Sequence, residues 1–112
     1  MGIFNIFKKK SSTKSQNDRD LIAANAVALE SVVAITESEE LKAELSGLKE
    51  KVRYTTALTE DKAYSLDKKI SGVIGDLKIE VTKNKGDEKS SAKIDNLVRE
   101  LKALVSERNA LV

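Results

Sequence analysis

Apolar residues recur at helical spacing along nearly the whole chain. Leu41, Leu45, Leu48 and Val52 step by four, three and four, and Ala63, Leu66, Ile70, Val73 and Leu77 by three, four, three and four. Ile94, Leu97, Leu101, Leu104 and Leu111 keep the rhythm, with Arg108 in the one remaining slot. An apolar position about every 3.5 residues draws a stripe along one helix face, and such a stripe is buried against another helix. No proline interrupts the pattern. The spacing predicts an all-α fold: an antiparallel three- or four-helix bundle with coiled-coil-like packing over residues 17–112, preceded by a flexible tail and tether at residues 1–16.

The helix ends follow from capping chemistry. Asn17 or Asp18 can accept the free N–H groups at the start of a first helix, which runs to about Thr36. Thr36 with Glu39 has capping-box spacing, and Ser38 ahead of Glu39 and Glu40 is an alternative cap. A second helix therefore begins near residue 39, and two readings of its far end stay open. Thr55, Thr56 and Thr59 are weak helix formers, and Thr59, Glu60 and Asp61 resemble a fresh N-terminus. Against that, Leu45, Val52, Thr59, Leu66 and Val73 hold one seven-residue register, and an unbroken helix to residue 82 would be about 66 Å long at 1.5 Å per residue.

Leu77, Ile79 and Val81 alternate with polar neighbours as a half-buried strand would, and residues 52–56 could supply its partner. Ile70, Ile74, Leu77 and Val81 fit a helix, which is the reading adopted. Asn84, Lys85, Gly86 and Asp87 form the clearest turn, and the last helix starts between Asp87 and Ser91. The first helix is apolar on most of its circumference, with alanines among the larger residues. That pattern belongs to a helix buried centrally or at a subunit contact. The aromatics are only two Phe and two Tyr, so the core is thin. A homo-oligomer, a dimer in the first place, is expected through Leu21, Val32 and Ile35.

Composition narrows the chemistry. The chain of 112 residues has no histidine, cysteine or tryptophan. Disulfides, thiolate nucleophiles and soft metal sites are excluded, and the usual general base near neutral pH is missing. No cofactor, metal or small-molecule substrate is expected. Glu37, Glu40 and Glu44 share a face, but carboxylate metal sites in bundles add histidine, so this reads as a solvated acidic face paired with lysines. Ser71, Gly72 and Gly75 thin one helix, as a hinge, a kink or a close crossing would require. The turn near Gly86 lacks calcium-loop ligand order, and Gly72 to Gly75 lacks the Lys-Ser/Thr of a phosphate loop.

Charge and the N-terminus change the picture most. The first 14 residues hold Lys8, Lys9, Lys10 and Lys14 and no acid, while the whole chain has 20 basic and 18 acidic side chains. The remainder is therefore slightly acidic, which argues against a nucleic-acid-binding body. Ile3, Phe4, Ile6 and Phe7 fall within an arc of roughly 160° on a helical projection. Apolar residues followed by lysines suit docking on an anionic membrane surface or on a partner protein; the alternative is a disordered tail, or a segment docked on its own bundle. The segment lacks the order of a secretory signal, no run reaches transmembrane length, and Ile6 stands where a myristoylation motif needs Ser or Thr.

The expectation is a non-catalytic helical scaffold or adaptor acting through its helix surfaces, attached to the membrane surface by its N-terminal segment. Its expected place is the cytoplasm, peripheral at the inner face of the membrane. The alternatives are a nucleic-acid-associated protein with a lysine-rich arm, and a small enzyme built on carboxylates or lysine.

Overall fold

The computed structural model describes the backbone of residues 2–111 and the side chains of residues 18–111. Its order is α1 (Gly2–Ile35), α2 (Glu39–Arg53), α3 (Asp61–Lys83), a single 3-10 turn (Glu88–Ser90) and α4 (Ala92–Asn109). The side chains of the expected tail, Ile3, Phe4, Ile6, Phe7, Lys8, Lys9, Lys10 and Lys14 among them, lie outside the described residues. Among the described residues there is no strand.

Of the two caps offered between α1 and α2, Ser38 is used: its hydroxyl accepts the Leu41 N–H at 3.3 Å. Glu39 and Glu40 lie in the first turn of α2, and Lys51 and Arg53 in its last, so charge matches the helix dipole at both ends. Ser91 caps α4 in the same manner, accepting from Ile94 N–H at 3.2 Å. Gly86 takes the φ of +88° that the turn before α4 needs, a conformation costly for any side chain with a Cβ.

The middle of the chain is divided. α2 ends at Arg53, α3 starts at Asp61, and Thr59 is exposed despite its place in the seven-residue register. Residues 76–83 are helical. Leu77 and Val81 are fully buried while Ile79 is 54% exposed, where a strand would have placed all three on one face.

Every helix sends a stripe into one shared core: Ile22, Leu29 and Val32 from α1; Leu41, Leu45 and Val52 from α2; Ile70, Leu77 and Val81 from α3; Ile94, Leu101 and Val105 from α4. α1 packs on α2 and α3, α3 also packs on α4, and α2 meets α4 only lightly. Consecutive α2 and α3 are thus not close neighbours. The 54–60 crossover between them is fastened to α1 through Asp18 and to α4 through Arg108.

Candidate functional site

Three charged side chains meet where the crossover passes the helix ends. Asp18 comes from α1, Asp67 from the second turn of α3 and Arg108 from the last turn of α4, and none is more than 2% exposed. Arg108 occupies the slot that its helix's stripe leaves for an apolar residue. Its Nε donates to Asp67 Oδ1 and Oδ2, both at 3.1 Å. Its Nη2 donates to Asp18 Oδ2 at 2.9 Å and to the Thr56 carbonyl at 2.8 Å. Asp18 is no helix cap: its Oδ2 accepts the Leu58 N–H at 2.7 Å. Asn25 Nδ2 donates to the Asp67 carbonyl at 3.0 Å, tying α1 to α3 beside the cluster.

The division of the middle helix follows from these bonds. Backbone groups at Thr56 and Leu58, which a continuous helix would satisfy internally, are satisfied by buried charges instead. Charge-assisted hydrogen bonds are stronger than neutral ones, so the exchange holds the crossover in place.

Two carboxylates face one guanidinium. Burial pushes the Asp67 carboxyl up to about 7, helped by a hydrogen bond with Asp18 and opposed by the attraction of Arg108. Asp18 Oδ1 and Arg108 Nη1 are buried without a partner among the protein atoms. Enclosed this way, the three groups order the fold and do not meet a ligand from solution.

At the opposite end Glu88 closes a second link. Its Oε1 accepts the Ser38 N–H at 3.0 Å and its Oε2 the Gly86 N–H at 2.8 Å. Burial pushes this carboxyl up, but the backbone N–H groups outweigh it and hold it below the usual carboxylate value. The acidic face of α2 is paired across to the last part of the chain, not within its own helix: Glu40 with Lys89 at 2.7 Å, and Glu44 with Lys102. Among the described residues no cluster is arranged to hold a metal ion.

The outer surface is uneven. α1 turns Ala23, Ala24, Val27 and Ala34 to solvent, with Val27 65% exposed. A groove between α1 and α3 is lined by Ala24, Val27, Ala28, Ser31, Ser71, Ile74, Gly75 and Lys78. A second groove, between α1, α2 and the crossover, has Ile22, Ala26 and Ala57 in its lining, with Arg19, Lys49, Arg53 and Glu30 supplying charge. A Cβ added at Gly72 or Gly75 would touch nothing within 4 Å, so neither glycine serves a close helix crossing inside this chain.

Of the residues expected to self-associate, Val32 is fully enclosed in the chain's own core, and Leu21 and Ile35 are half-buried. The uncovered side of α1 is the one bearing Val27. The Asp18–Asp67–Arg108 cluster was not read from the sequence, although a signal existed. Asp67 lies three residues before Ile70, and Arg108 three after Val105, each at seam spacing. No family model, no curated protein and no solved structure matches the chain.

Proposed function

We propose that this chain is a non-catalytic helical scaffold or adaptor, an antiparallel bundle that works through its outer faces. It pairs with a second copy through α1 and attaches to anionic membrane surfaces through residues 1–14. The observation that carries the reading is the outer side of α1, where Ala23, Ala24, Val27 and Ala34 stay uncovered. The exposed positions of α4, by contrast, are largely charged, with Lys93, Asp95, Arg99, Glu100, Lys102 and Glu107 among them. An antiparallel course of α3 and α4 is supported by Lys93 meeting Glu80 at 3.4 Å near one end and Arg108 meeting Asp67 at the other.

Among the described residues no helix is long and apolar enough to cross a membrane, so attachment is peripheral in this reading. Each lysine near an anionic surface contributes about 1 kcal/mol, which makes the association weak, reversible and salt-dependent. Arg19, Lys49 and Arg53, close to the root of the N-terminal segment, add positive charge on that side of the body.

Sedimentation of the full chain tests the pairing. Wild type is expected to be a dimer, and Val27→Asp a folded monomer with the wild-type helical signal, because the site is exposed within the chain. A wild-type monomer at high concentration overturns the pairing. Co-sedimentation with vesicles of graded anionic content tests the attachment. Binding should rise with anionic lipid, fall with salt and vanish in the double variant Phe4→Ser, Phe7→Ser, while unfolding is unchanged. Binding that ignores lipid charge, or that survives both serines, rules attachment out.

A further inference from the structure

Two carboxylates and one guanidinium leave a net charge of −1 in the interior when all three are ionised. A buried net charge is costly, and one proton removes it. The proton also has a place to go: on Asp67 it becomes a donor toward Asp18, whose Oδ1 has no other partner among the protein atoms. We propose that Asp18, Asp67 and Arg108 form a proton-operated clasp, which fastens the 54–60 crossover while the carboxylate pair holds one proton and loosens it when that proton is lost to solvent.

The geometry confines the effect. The charged groups facing the clasp are Asp18 from α1, Asp67 from α3 and Arg108 from α4. The crossover contributes the Thr56 carbonyl and the Leu58 N–H. Also in the crossover, Thr55 Oγ1 donates to Asn109 Oδ1 at 2.9 Å, next to Arg108 in sequence. Arg19 and Asp20 on α1, Asp61 and Lys68 on α3 and Glu107 on α4 are exposed, where water screens them. Asp18 holds Leu58 and Arg108 holds Thr56, so the repulsion between the two carboxylates that follows the loss of the proton acts first on those bonds.

The sign follows from linkage. The folded Asp67 carboxyl titrates at about 7, well above its ordinary 3.8. Its stabilising contribution is full below the ordinary value and is lost as pH rises through about 7. For a group held at about 7 only while the clasp is closed, the equilibrium constant for closing the clasp falls about tenfold between pH 6 and pH 8. The chain suits the experiment, since without histidine or cysteine the α-amino group is the one other group ordinarily titrating in that window. The inference is independent of what the α1 face binds.

Amide hydrogen exchange on the full chain at pH 6 and pH 8, corrected for intrinsic exchange, provides the test. Protection of the Leu58 N–H is expected to fall about tenfold, while the Ser38 and Gly86 N–H groups, bonded to Glu88 at the far end, keep theirs. In Asp67→Asn, a neutral isostere of the protonated carboxyl, Leu58 protection should be high at both pH values. Unchanged Leu58 protection in wild type overturns the clasp. So does an equal loss at Ser38 and Gly86, which would make the response global, or an Asp67→Asn variant that keeps the wild-type pH slope. The contrast between Leu58 and the far-end amides needs no variant, so the proposal stays testable if Asp67→Asn fails to fold.

Discussion

Arg108→Ala is expected to unfold the protein, or nearly so, at neutral pH. The substitution strands two carboxylates that are at most 2% exposed and removes the donor that holds the Thr56 carbonyl. Breaking a buried pair by deleting one partner costs about 3–5 kcal/mol, because the remaining charge is left uncompensated. Small domains have only about 5–15 kcal/mol of stability in total. The sign of the pH dependence identifies the cause. Acid neutralises the stranded carboxylates, so the deficit should shrink as pH falls from 7 to 5, whereas a deficit caused by lost packing would not. Urea unfolding followed by helical circular dichroism at both pH values measures it. A loss below about 1 kcal/mol, the size of a surface ion pair, would show that the cluster does not hold the helices.

Val32→Asp is the second large effect. Val32 is completely enclosed, in a cluster with Leu29, Ile22 and the buried stripes of the other helices. The cluster around it is apolar and supplies no cation, so the cost is again several kcal/mol, and the helical signal should fall at 25 °C and recover partly in acid. Val27→Asp places the same charge five residues away, about 140° around the helix, where the side chain is 65% exposed. It should leave the fold intact. Comparing the two variants by thermal unfolding reads out directly which face of α1 belongs to the core. Equal destabilisation by both would mean that α1 is buried on both sides.

These two positions show where sequence reading stops. The apolar residues of α1 occur on nearly every side in the sequence, so periodicity alone could not choose between the Val32 side and the Val27 side. The choice depends on where α2 and α3 lie. The same holds at Thr59, where the seven-residue register and the fresh-start signal compete locally on even terms. The break wins because Thr56 and Leu58 find partners in Arg108 and Asp18.

What the sequence determined by itself is whatever depends on neighbours within about four residues. The 3.6-residue rhythm set the helical class and the inward sides of α2, α3 and α4. Ser38 and Ser91 fixed two helix starts, and Gly86 the turn before α4. The absence of histidine and cysteine removed whole classes of chemistry. What the tertiary structure alone decided is whatever joins distant segments. Asp67 and Arg108 are 41 residues apart, and Asp18 and Arg108 are 90 apart. A charge at seam spacing reads as a flaw in one helix until packing brings three such charges together. Only desolvation in a shared core then makes their pairing strong enough to fix the path of the chain.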